Sequence, residues 1–120
     1  MKESVLQKKS LAFAVRIVKL YQYLCNQKNE YTLGKQILRS GTSIGANVRE
    51  SKNAQSTLDF INKLNISLKE ADETEYWLEI LLASEIINQT EFDSIITDLR
   101  ELIAILTQSV KTQKSKSKKE

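Results

Sequence analysis

The sequence predicts an all-α protein, an antiparallel up-down-up-down four-helix bundle. Three observations point there. The 120 residues contain no proline, so no pyrrolidine ring interrupts a helix. Apolar residues recur at steps of three and four in four long segments, the spacing of helices with one face in a core. The connectors between segments are short, which favours antiparallel neighbours.

The first helix is expected over residues 3–28. Ala14, Ile17, Tyr21 and Leu24 form one stripe, and Leu11, Val15, Val18 and Cys25 a second beside it. So wide an apolar arc implies burial on two sides. The second helix is expected over 32–54, with Thr32 as N-cap and an inner line of Leu33, Ile37, Gly41, Ile44 and Val48. The third, over 57–84, opens near Ser56 or Thr57 with Asp59 in its first turn, where a negative charge suits the helix dipole. Its line is Ile61, Leu64, Leu68, Ala71, Leu78 and Leu82. The fourth, over 90–110, starts at Thr90-Glu91 and buries Phe92, Ile95, Leu99, Leu102, Leu106 and Val110. Residues 1–110 thus make one domain. The closing KTQKSKSKKE, residues 111–120, lacks apolar anchors and reads as a disordered, Lys-rich tail.

Composition narrows the function. A single cysteine, Cys25, excludes an intrachain disulfide and makes a reducing, cytoplasmic setting the default. Charges scattered along MKESVLQKKSLAFAVRIV argue against a signal peptide, and no apolar run is long enough to span a membrane. Histidine is absent, which removes the commonest general base and the commonest metal ligand. The net charge of +3 conceals a split: residues 1–56 carry +7, residues 57–110 carry −8 and residues 111–120 carry +4. Either the halves pair inside one fold or the protein shows two surfaces of opposite sign.

The stretch Gly41-Thr42-Ser43-Ile44-Gly45 matches G-x-S-x-G, the turn that presents a hydrolase serine. That turn needs a strand before it, whereas LGKQILRS has helical spacing. The triad needs a histidine, and no lysine stands at S-x-x-K from Ser43. Gly34-Lys35 is not a P-loop, because Gln36 follows and Asn29 replaces the first glycine. Gly41 and Gly45, four apart on one face, instead suit close approach of another helix. A break at Gly41 competes with this reading, but Ile37, Ile44 and Val48 keep their phase across it. No catalytic residue and no enzyme activity is expected.

Gln36, Arg39, Ser43, Asn47 and Glu50 form a polar stripe beside that face. If the second and third helices pair about a turn at 54–55, partner numbers add to about 109. Arg39 then meets Glu70, with Glu73 one turn on; Ser43 meets Ile66 or Ser67, and Asn47 meets Asn62 or Lys63. The run Lys69–Glu79 raises a metal question, since paired-metal bundles use Glu-x-x-His. Glu70-x-x-Glu73 has the spacing, and Glu75 has a core phase, but without histidine ion pairing is the expectation and no metal or cofactor is assigned. Tyr76 and Trp77 are read as packing or interface residues.

QILRSGTSIGANVRES followed by DFINKLNISLKEADETEYWLEIL resembles the four-helix-bundle proteins encoded in intervening sequences of bacterial large-subunit (23S) rRNA genes. The resemblance covers about residues 8–110. Its motif positions are Arg39, Ser40, Ser43, Asn47 and Glu50, then Ser67, Glu70, Glu73 and Trp77. Where the family often has Ala-Glu-Gly after the asparagine, this chain has Val48-Arg49-Glu50-Ser51; the glutamate stays and the glycine is lost, which implies a weaker bend. The resemblance implies a homopentamer and no established enzyme activity. Relatives include the accessory variability determinant of diversity-generating retroelements, which looks like a partner of a reverse transcriptase and of nucleic acid.

Two functions stay open at this point. One is association with RNA or DNA through Lys8, Lys9, Arg16, Lys19, Lys35, Arg49, Lys111, Lys114, Lys116, Lys118 and Lys119, without sequence selectivity, because no base-reading module is present. The bland alternative for these lysines is a solvated helix surface. The other is a protein-interaction scaffold, for example for a reverse transcriptase, which the acidic third helix favours because it repels phosphate.

Overall fold

The computed structural model describes residues 4–119, with side chains through residue 117. It contains four helices: α1 (Val5–Lys28), α2 (Tyr31–Ser51), α3 (Thr57–Ala83) and α4 (Gln89–Lys119). Each packs on its neighbour in chain order, and α4 returns to α1. The bundle is a rod of 52 × 23 × 22 Å.

Side-chain pairs fix the directions. Along α1 and α2, Gly34 lies against Tyr21 and Leu24, Gly41 against Ile17 and Gly45 against Ser10. Between α2 and α3, Arg39 meets Glu70, Ile44 meets Ser67 and Glu50 meets Lys63. Between α1 and α4, Lys9 meets Glu101 and Arg16 meets Asp98. In every case one number rises as the other falls, so these neighbours are antiparallel and the bundle runs up-down-up-down. Both Gly41 and Gly45 sit inside one unbroken α2; the alternative of a break at Gly41 is set aside.

The caps explain the boundaries. Ser4 starts α1 with a reciprocal capping box to Gln7. Asn29 then turns the chain at φ 52°, a left-handed conformation that asparagine tolerates. The expected cap Thr32 is not used: Glu30 caps α2, its carboxylate accepting from the Leu33 N–H at 3.2 Å. Ser56 caps α3 as expected. At α4 the cap is Asn88 rather than Thr90. Asn88 and Glu91 exchange backbone-to-side-chain bonds of 2.8 Å, the reciprocal box that satisfies two orphan donors.

The tail corrects the sequence expectation. The fourth helix does not stop at 110 but continues through Lys119; residue 120 lies outside the described residues. Lysine and glutamine are good helix formers, no breaker intervenes, and positive charge near a helix C-terminus interacts favourably with the dipole. Absence of a core contact, on which the disordered reading rested, does not by itself end a helix already nucleated upstream.

The core is drawn from all four helices. Phe13, Ile17, Leu24, Ile37, Ile44, Leu64, Leu78, Leu99, Leu102 and Leu106 are buried. The second stripe of α1 departs from expectation. Leu11, Val15 and Val18 are 53, 48 and 39 % exposed, so one copy of the chain buries α1 on one side.

Candidate functional site

The α2–α3 seam carries most of the motif positions. Arg39 reaches Glu70 at 3.2 Å and also pairs with Glu73. Glu73 in turn accepts from Trp77 Nε1 at 3.0 Å, which fixes the half-buried indole. Beneath this rim lies a buried polar layer of Ser40, Ser67 and Thr74. Ser67 donates to the Ile44 carbonyl at 2.8 Å. Thr74 Oγ1 lies 2.9 Å from Ser40 Oγ and 2.8 Å from the Glu70 carbonyl oxygen. Among the described residues no buried side-chain polar atom lacks a partner, as a stable polar layer requires.

The register expected from the sequence is thus present at Arg39–Glu70, with Glu73 alongside. Two expectations are corrected. Ser43 does not bond across to α3; its hydroxyl donates to the Arg39 carbonyl in its own helix at 2.6 Å. Asn47 likewise donates to the Ser43 carbonyl at 2.9 Å, and the contact with Lys63 is made by Glu50 at 3.6 Å. Both residues lie one position off the seam, and helical serine can bond the carbonyl four residues back. Glu75 is not a core residue: it is half-buried toward α4, with Arg100 at 3.7 Å.

Thr74 is the residue that sequence reasoning missed. It hides between Glu73 and Glu75, yet Leu64, Ser67, Ala71, Thr74, Leu78 and Leu81 are all buried at alternating steps of three and four. The omitted turn between Ala71 and Leu78 was the available signal. Among the described residues no group of three or more Asp, Glu or Cys side chains is placed to hold a metal ion.

The basic residues divide differently. Lys9 is held by Glu101 at 2.6 Å, and Arg16 by Asp98 at 2.7 Å and by Ser94. Lys19 and Lys35 lie in the half of the rod formed by residues 16–41 and 70–100. That half carries six Lys/Arg and ten Asp/Glu. The opposite half, residues 4–15, 42–69 and 101–119, carries eleven Lys/Arg and three Asp/Glu. It contains Lys8, Arg49, Lys111, Lys114 and Lys116, none of which is in an ion pair among the described residues. The side chains of Lys118 and Lys119 lie outside the described residues. The two halves of the sequence therefore do both things expected of them: some charges pair across helices, and the surplus is sorted along the axis. The rod is 52 Å long and screening acts over about 8 Å at physiological salt, so a ligand at one end senses that end. Within the basic half an open cleft of about 1060 Å³ runs along the outside of the α1–α2 seam, with Ser4, Gln7, Arg49, Lys52 and Asn53 among its lining.

Comparison with known proteins places the chain. The family described as 23S rRNA-intervening sequence protein matches residues 2–108. The chain belongs to that family. A solved structure from Bacteroides thetaiotaomicron, described as a protein of unknown function from the S23 ribosomal protein family, is 57% identical with a TM-score of 0.88. The match covers 89% of this chain and 99% of that one. No curated protein matches. No helix among the described residues is long and apolar enough to cross a membrane.

Proposed function

We propose that this family member is a non-enzymatic homo-oligomer, a pentamer, that binds RNA or DNA with little sequence selectivity through the basic end of each bundle. The sorting of charge along the rod carries this reading. Phosphate contact is dominated by Lys and Arg, and the basic half offers Lys8, Arg49, Lys111, Lys114 and Lys116 without a carboxylate partner among the described residues. The cleft beside Arg49 and Lys52 adds serine, glutamine and asparagine side chains, groups that bond phosphate and sugar and carry no base code. Lys9, Arg16, Lys19 and Lys35, paired or set in the acidic half, contribute less.

Fluorescence anisotropy with labelled RNA at two salt concentrations tests the binding. Affinity is expected to fall with salt, with a slope that shrinks by about 0.7–0.9 for each phosphate contact removed. Arg49→Glu with Lys111→Glu weakens binding, whereas Lys35→Glu leaves it nearly unchanged. No binding at low salt overturns the reading. Light scattering tests the oligomer, and a monomer overturns that part.

The acidic half favours a second reading, a scaffold for another protein such as a reverse transcriptase. It exposes Tyr76 (58 %) beside Trp77, ring centroids 5.6 Å apart, and aromatic side chains are enriched where proteins meet. Pull-down of a protein partner that depends on Tyr76, with no RNA affinity, supports that alternative.

A further inference from the structure

Aromatic rings and positive charge are sorted along the rod in opposite senses. All four tyrosines and the tryptophan lie in the acidic half, residues 16–41 and 70–100. Tyr31 and Tyr76 are 54 and 58 % exposed there. The basic half, residues 4–15, 42–69 and 101–119, holds two aromatic side chains, Phe13 and Phe60. Phe13 is buried, and half-buried Phe60 packs on the core. Among the described residues the basic half therefore offers no freely exposed ring on which a base can stack.

The cations of that half point the same way. Ten of the eleven are lysine and one, Arg49, is arginine. An ammonium is a point charge that holds phosphate, whereas the planar guanidinium is the cation that stacks on rings.

These lysines are concentrated on one continuous helix. Val110 is the last buried residue of α4, and the helix runs on to Lys119, an extension of about 13 Å at 1.5 Å per residue. Positions 111, 114 and 118 are lysine and fall at steps of three and four, on one side of it. Lys111, Lys114 and Lys116 are exposed. The extension begins beside the cleft, which Ser109 lines together with exposed Arg49 and Lys52.

Single strands and duplexes ask for different surfaces. Proteins that hold single strands stack successive bases on aromatic side chains along a cationic groove. A duplex keeps its bases inside and presents one charge per about 1.7 Å of axis, twice the density of one strand. Phosphate rows at that density suit fixed cations with hydroxyl and amide groups beside them, the set that this end supplies.

We infer that the basic end takes the sugar–phosphate backbone of a nucleic-acid duplex in preference to a single strand. The α4 extension lies along the backbone, and Arg49 and Lys52 reach it from the end of α2. This rests on the nucleic-acid reading above and specifies its ligand. The recognised chemistry is the doubled phosphate row, which duplex DNA and duplex RNA both present.

Anisotropy titrations of the full chain test it, with labelled duplex DNA, duplex RNA, oligothymidylate and oligouridylate of equal length at one salt concentration. One further phosphate contact at about 0.1 M salt is worth about eightfold through counterion release. At least one duplex is therefore expected to bind about tenfold more tightly than either single strand, and the DNA and RNA arms tell which backbone it is. Lys111→Glu with Lys114→Glu, at exposed positions outside the core, removes that advantage while the thermal midpoint stays put. Tyr76→Ala changes none of the four affinities. Single strands bound as tightly as both duplexes, a duplex advantage untouched by the lysine variant, or a loss of affinity in Tyr76→Ala overturns the inference while nucleic-acid binding stands. If none of the four ligands binds, both readings fall together.

Discussion

The seams on either side of α2 are built on opposite principles. Toward α1 the contact is made by removing atoms. A Cβ on Gly41 lies 2.6 Å from Ile17 Cγ1, and one on Gly45 lies 3.2 Å from the Ser10 carbonyl oxygen. Toward α3 the contact is made by adding polar atoms: Ser40, Ser67 and Thr74 bond inside, and Arg39 closes the rim with Glu70 and Glu73. One helix thus supports close approach on one face and directional bonding on the next. The apparent hydrolase motif is the place where the two faces meet. Shape complementarity tolerates sliding if side chains adapt, whereas hydrogen bonds set a register. We therefore assign the tightness of the bundle to the first seam and its register to the second.

The largest expected effect is at the glycine seam. Gly41→Ala places its methyl within 2.9 Å of three Ile17 atoms. Ile17 is fully buried and cannot swing away. Overpacking of this kind costs about 1–3 kcal/mol, against a gain of about 1 kcal/mol in helix propensity. Chemical denaturation should show net destabilisation, and Gly41→Ala should cost less in an Ile17→Ala background, which removes all three clashing atoms. Gly34→Ala is the internal control: its neighbour at 3.3 Å is the ring of Tyr21, a half-buried side chain able to shift, so the propensity gain should dominate. Equal effects at positions 34 and 41 contradict the close-packed account.

Of comparable size is the effect at the buried polar layer. Thr74→Val strands the Ser40 hydroxyl, which is fully buried. An unsatisfied buried group costs about 1–3 kcal/mol. Adding Ser40→Ala removes the stranded group, so the double variant should be less destabilised than the two single losses combined. Strict additivity in urea melts breaks the claim that the two hydroxyls act as a pair.

These two seams were not equally legible in the sequence. The glycine face was visible because a missing side chain leaves a mark: two poor helix formers four apart, in phase with Ile37 and Val48, make sense only where something comes close. The polar face was half visible. Arg39–Glu70 followed from the position of the turn. Ser43 was misplaced because a helix advances 100° per residue, and a stripe read one position off still has perfect periodicity. Its neighbours Ser40 and Thr74 were the buried ones, and nothing in a serine or threonine distinguishes a satisfied interior hydroxyl from a surface one. The charge split of the chain halves announced surfaces of opposite sign but not the sorting of charge along the axis. That sorting emerges only when antiparallel packing places the start of α1 beside the end of α4.

The smallest effect is expected at the rim, and it most sharply separates the two seams. Arg39 is half-exposed, with its side chain at 51% against 16% for Glu70. Exposed ion pairs contribute about 0.2–1 kcal/mol in double-mutant cycles, and salt screens them. Arg39→Ala crossed with Glu70→Ala should give a coupling in that range, smaller at high salt than at low. Glu73 complicates the cycle in an informative way. It bonds both Arg39 and Trp77 Nε1, so when Glu70 is removed Arg39 keeps a partner. The coupling measured in a Glu73→Gln background should therefore exceed that in the wild-type background. Trp77 fluorescence should respond to Glu73→Gln and not to Glu70→Ala. If the 39–70 coupling instead matches the cost of Thr74→Val, the register is held at the surface and not by the buried hydroxyls, and the contrast between the two faces of α2 must be redrawn around charge.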